Sequence, residues 1–157
     1  MKLLLLGNDD STRSELRSSI VALGYDVADN TAWNFPNALS SQSFDCILIA
    51  DDVPETQSQA IAPVVKSVRP KAILIRVSSK LVPNPIYDHI VPVAGNELSR
   101  VLELLIHRDL LRIRLQEVEE ALEDPALEPD IRKMMMTVRK ELGRALNVHS
   151  NDDSAVA

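Results

Sequence analysis

Two runs, Leu3-Leu-Leu-Leu6 and Cys46-Ile-Leu-Ile-Ala50, are short, uninterrupted and apolar, and each stops at an acidic turn. A strand that is apolar on consecutive residues needs cover on both faces, the condition of a central strand in a parallel sheet flanked by helices. Amphipathic segments stand between such runs. Ser11 to Leu23 brings Leu16, Ile20 and Leu23 to one helical face and stops at Gly24. Asn34 to Leu39 supports at most a short helix, with Pro36 near its first turn. Glu55 to Ser67 carries Ile61, Val64 and Val65 at helical spacing, weakened by Pro63. Tyr25–Asp29 is half polar and suits a sheet edge, Ala72–Val77 reads as a fourth strand and His89–Val91 as a short fifth. This alternation predicts a doubly wound α/β domain with a parallel sheet and right-handed crossovers. Between the last two strands, Pro83 and Pro85 make an ordinary helix improbable, so a fourth helix is expected to be reduced or absent.

From Asn96, a plausible N-cap, the composition turns to helix formers. Val101, Leu104, Leu111, Leu115, Val118 and Leu122 follow a three-four spacing broken once by Arg108. Pro129 opens a second helix whose stripe is Ile131, Met135, Val138, Leu142 and Ala145. The short link between them predicts an antiparallel helical hairpin. Residues 117–130 hold seven acids and no Lys or Arg, while 131–144 hold five basic residues and one acid, so the two helices complement each other in charge. The expected organisation is an α/β domain over residues 1–106, a hairpin over 107–149 that continues the last domain helix, and a disordered tail over 150–157. A single hairpin cannot cover a stripe that also includes Leu110, Ile113, Met134 and Leu146. A homodimer through these C-terminal helices, two hairpins making a four-helix bundle, is the expected remedy.

Seventeen Lys+Arg against twenty-three Asp+Glu give a net charge of −6, so the chain as a whole has no electrostatic reason to seek nucleic acid or anionic lipid. No apolar run approaches the roughly 20 residues of a membrane span. The single cysteine, Cys46, excludes an internal disulfide and cysteine-rich zinc sites, which fits a reducing, cytoplasmic setting. No glycine-rich phosphate loop, metal-ligand spacing or nucleophile–base pair occurs, so no catalytic residue, metal or cofactor is expected.

In a doubly wound sheet, function gathers beyond the carboxyl ends of the strands. That directs attention to Gly7-Asn8-Asp9-Asp10 and Ala50-Asp51-Asp52. Lys2 to Arg13, Leu23 to Val27, Phe44 to Ala50 with Pro54, and Val91-Pro92 with Glu97-Leu98 together resemble the receiver domain of bacterial response regulators over residues 1–106. The resemblance implies a flavodoxin-like sheet in the order 2-1-3-4-5. It also implies a site in which two acids and an acceptor aspartate hold magnesium while a lysine and a Ser/Thr contact the phosphoryl group. Aligned to that pattern, the two acid positions are Gly7 and Asn8, with Asp9 only in the following place. The acceptor position is Ala50, the lysine position Val91, and Ser78 alone keeps its type. An alanine cannot accept a phosphoryl group, and phosphoryl transfer depends on the missing charge. The resemblance therefore implies a degenerate receiver, a pseudo-receiver.

Asp51 is the off-register acceptor candidate, although a one-residue slip along a strand turns a side chain to the other face. Asp9, Asp10, Asp51 and Asp52 are otherwise expected to be a solvated rim with helix-capping duty, Asp10 or Ser11 capping the first helix. The leading functional expectation is a non-enzymatic two-component adaptor acting through protein–protein contacts, with a histidine kinase or another regulator as partner. The alternatives are a phosphotransfer protein using His107 and an ANTAR-like RNA-binding antitermination regulator. The latter needs three further helices where one remains after residue 130.

Overall fold

The computed structural model describes residues 1–155, with side chains described through residue 147. Five strands and five helices follow one another as β1 (Lys2–Gly7), α1 (Asp10–Ala22), β2 (Asp26–Thr31), α2 (Phe35–Ser41), β3 (Cys46–Ile49), α3 (Glu55–Val68), β4 (Ile73–Val77), β5 (His89–Val91), α4 (Glu97–Leu122) and α5 (Pro129–Ala155). The strands form one parallel sheet in the order β2-β1-β3-β4-β5. Both the fold class and the strand order match the expectation.

Register follows from burial. Leu4 pairs with Ile47 and Leu6 with Ile49, while Cys46 pairs with Ile73 and Ile47 with Leu74. Leu4, Leu6, Ile47, Ile49 and Leu74 point to one face, where they form a core with Ala38 and Leu39 of α2 and Ile61, Ala62 and Val65 of α3. Their alternates Leu3, Leu5, Cys46, Leu48 and Ile75 are equally buried, which explains why β1 and β3 are apolar at every position. β2 alternates at the sheet edge, with Val27 buried and Asp26 exposed. Helix α1 ends at Gly24, whose φ of 87° is a left-handed conformation that glycine adopts without strain. Its face is narrower than the spacing predicts: Ile20 is buried, but Leu23 is exposed. Helix α3 runs through Pro63, which is exposed. The ring therefore denies a hydrogen bond only to the solvent-facing Gln59 carbonyl.

Between β4 and β5 no helix forms among the described residues, as the paired prolines predict. The loop is pinned at its end by Asp88, which accepts from the Leu74 amide at 2.7 Å and pairs with Lys66 at 2.5 Å.

The chain divides into two compact units, Met1–Arg100 and Val101–Ala157, so the division falls before residue 106, inside α4. In the second unit α4 and α5 form the expected hairpin. Arg132 of α5 donates to the carbonyls of Leu122 and Asp124 at 2.8 and 2.6 Å, satisfying acceptors left open where α4 ends. Leu111, Leu115, Val118, Leu122, Met135 and Leu142 are half-buried as seam residues. Leu104, Ile131 and Val138, expected in the same seam, are exposed, and near the start of α4 burial falls on Leu102 and Leu105, with Val101 half-buried. A two-helix hairpin offers each helix a single neighbour, so only a narrow strip of each stripe finds cover. Helix α5 continues to Ala155, past residue 150 where a disordered tail was expected to begin; residues 156–157 lie outside the described residues. No described helix is long and apolar enough to cross a membrane.

Candidate functional site

The carboxyl ends of β1, β3, β4 and β5 bring the singled-out positions to one rim. Gly7 ends β1, Ala50 directly follows β3, Ser78 directly follows β4 and Val91 ends β5. Ala50 is fully buried, its amide donating to the Leu6 carbonyl at 2.8 Å. Val91 is buried and accepts from the Ser78 amide at 2.9 Å.

Each nearby acid is engaged by the rim loops or by the start of α1. Asp9 caps α1: one carboxylate oxygen accepts from the Ser11 hydroxyl at 2.6 Å, the Thr12 amide at 2.9 Å and the Thr12 hydroxyl at 3.0 Å. These bonds, the Ser11 hydroxyl first, hold its carboxyl below the usual aspartate range. The cap is thus Asp9, not Asp10 or Ser11, because the extended backbone at Asp9 aims its side chain at the first free amides. Asp10 pairs with Arg13. Asp51 accepts from the Ser79 amide at 2.8 Å, which ties the loop after β3 to the loop after β4. Asp52 accepts from the Asn8 amide at 2.6 Å and from the Asp9 amide, which ties the same loop to the one after β1. The Asn8 side chain donates to Gln57 at 2.9 Å.

Two arginines complete the rim. Arg13, largely buried, lies over Gly7 and donates to its carbonyl at 2.9 Å. A Cβ on Gly7 would stand 2.7 Å from Arg13 Cγ, 3.2 Å from Asp52 Oδ1 and 3.5 Å from Ala50 Cβ, so these four residues share one small space. Arg76, buried within β4, donates to the carbonyls of Ala50 and Val53, both at 2.6 Å. Beneath it Tyr87 and Ser58 share a 2.6 Å hydroxyl bond, and burial pushes the Tyr87 phenol above its ordinary value. Neither arginine was singled out from sequence. The signal for Arg76 was present, since a cation inside the apolar run Ile73-Leu-Ile-Arg-Val77 is nearly always a paired, structural one. Arg13 left no such mark, being one polar residue in a polar first turn.

Against solved structures, the chain is similar to a CheY-like response regulator receiver domain from Methylobacillus flagellatus, with a TM-score of 0.58 at 13% identity, over 66% of this chain and 96% of that one. It is similar to a CheY-like receiver domain protein from Methanospirillum hungatei JF-1, with a TM-score of 0.57 at 16% identity, over 68% of this chain and 94% of that one. A third is the signal receiver domain of an HD domain-containing protein from Pseudomonas fluorescens Pf-5, at 0.54 and 13%, over 64% and 88%. No protein-family model and no curated protein matches the sequence. The fold is that of CheY-like receiver domains.

The magnesium ion that this fold family implies finds only part of its donor set here. Magnesium takes six oxygens in a near-ideal octahedron, one or two of them from carboxylates and the rest from water or phosphate. Asp52 and Asp9 each commit one carboxylate oxygen, to backbone amides and to a helix cap, and Asp52 Oδ1 and Asn8 Oδ1 are left buried without a hydrogen-bond partner. The acceptor position, however, is Ala50, and the Arg13 side chain packs over Gly7. Among the described residues no group of three or more His, Cys, Asp or Glu could hold a metal.

Proposed function

We propose that the chain is a signalling adaptor of the two-component type, a pseudo-receiver that works through protein–protein contacts without conventional aspartate phosphorylation and without enzymatic activity. One observation carries this reading: buried Ala50, which has no group to accept a phosphoryl, stands at the end of β3, and the aliphatic stem of Arg13 packs over Gly7 in the same small space. The loops that phosphorylation would reorganise are already joined by Asp51 to Ser79 and by Asp52 to Asn8. The α4–α5 hairpin supplies a second copy of the chain as partner, through the apolar residues it leaves uncovered; a histidine kinase or another regulator is the further protein partner. Incubation with acetyl phosphate and magnesium, followed by intact-mass measurement, tests the reading. The expected result is no added phosphoryl mass. A stoichiometric adduct at Asp51 or Asp9 would establish a working receiver, and one lost in His107→Ala a phosphotransfer protein.

A further inference from the structure

A cavity of about 540 Å³ lies between the start of α3, the end of β4 and the loop of residues 78–87, where the missing helix would stand. Its volume falls in the range of small-molecule pockets, and it is a half-open cleft, with Val82 and Pro83 exposed on the loop side. Val53, Val82, Pro83 and Ile90 wall it with apolar groups. Arg76 lines it and is only 4% exposed. Two of its nitrogens are committed to the Ala50 and Val53 carbonyls, but Nε makes no hydrogen bond. The carboxylate facing Nε is Glu55, at 3.8 Å, beyond hydrogen-bond reach and half in solvent. The other oxygen of Glu55 is divided between the Gln59 amide at 3.1 Å and the Tyr87 hydroxyl at 3.3 Å.

A buried guanidinium calls for a close counter-charge, and Glu55 is a loose one. The lining sets Arg76 and Lys80 against Asp51 and Glu55, and the start of a helix adds positive potential. Helix α3 begins at Glu55, with Pro54 as an N-cap that offers no side-chain hydrogen bond, and the positive end of its dipole lies beside the cavity. Ser78 accepts from the Lys80 amide at 3.1 Å and so retains its own O–H to donate; Lys80 lines the cavity as well. Asp51 also lines it, with its charge partly satisfied by the Ser79 amide.

We propose that this cavity binds a small organic anion, a carboxylate with an apolar body. Arg76 Nε is closed off from solvent, so the ligand carboxylate reaches it as Glu55 swings outward, taking the place of Glu55 beside the start of α3, and the body lies on Val82, Pro83 and Ile90. The cavity shares Asp51 and Ser78 with the rim, but its anion contact is Arg76, so the proposal stands whether or not the chain is a pseudo-receiver.

Titration of the full chain with 3-phenylpropionate, followed by amide NMR, tests the assignment. The expected result is saturable shifts at Glu55, Ser78, Ser79, Lys80 and Tyr87, with a Kd of about 1 mM or below. The neutral isostere 3-phenylpropanol is expected to leave these amides unmoved. Glu55→Gln, which removes the competing charge, is expected to tighten binding about tenfold, and Lys80→Ala to weaken it several-fold. No saturation by about 10 mM, equal binding of the alcohol, or a Glu55→Gln variant that binds no better would each overturn the proposal.

Discussion

Arg13 lies across Gly7 so closely that a Cβ on the glycine would stand 2.7 Å from Arg13 Cγ, while the guanidinium holds the Gly7 carbonyl at 2.9 Å. Absence of a side chain at one position is what admits the long cation at the other. Gly7→Ala is therefore expected to destabilise the fold by about 1–3 kcal/mol, as overpacking does. In an Arg13→Ala background the same change should cost less, with a coupling of at least about 0.5 kcal/mol in urea unfolding. Strict additivity would mean that the two residues do not constrain each other.

Asp9 makes the start of α1 sensitive to acid. Its carboxyl titrates lower in the folded chain than in an unfolded one, so the stabilisation is fully present above the ordinary aspartate value of about 3.9. It is lost as pH falls through the lowered folded value. Asp9→Ala is expected to reduce the Tm at pH 7, and the gap from wild type to close at pH values below the lowered one. Thermal unfolding across that range checks both; a gap independent of pH would assign the capping to another group.

Arg76 is the buried brace of the loop after β3. Replacing it with Met leaves the Ala50 and Val53 carbonyls without their donor, and the expected loss is about 3–5 kcal/mol. Chemical denaturation measures it. A loss under about 1 kcal/mol would show that the loop holds its shape without the guanidinium.

Ile131, Met134 and Val138 recur on one face of α5 and are 39%, 61% and 41% exposed, and Leu110 and Ile113 of α4 are exposed to a similar degree. Apolar stripes of this kind mark interaction surfaces. Light scattering of the full chain at micromolar concentration is expected to report a dimer. The double substitution Met134→Glu with Val138→Glu should give a monomer of unchanged helix content. A monomeric wild type would remove self-association from the account.

The legible parts of this molecule were those set by burial on both faces. Leu3–Leu6 and Cys46–Ala50 announce central strands because nothing polar is tolerated there, and Pro83 with Pro85 announces a missing helix because neither ring permits one. The hairpin was legible in its existence but not in its surface. Spacing ranks Ile131 and Val138 with Leu142, yet burial depends on how many neighbours a helix has, and here it has one. The rim was legible by position, since Gly7, Ala50 and Asp52 do meet. Its wiring was not, because which amide an aspartate accepts from depends on backbone direction at a turn. Hence Asp9 rather than Asp10 caps α1, and Arg13 was passed over.

Amide NMR of the full chain with beryllofluoride and magnesium addresses the proposed loss of phosphoryl chemistry most directly, because the anion reports a receiver site without waiting for turnover. The expected spectrum shows no saturable change at Gly7, Ala50, Asp51, Ser78 or Val91. Stoichiometric, magnesium-dependent shifts centred on Asp51 would contradict the account and restore a phosphorylated receiver.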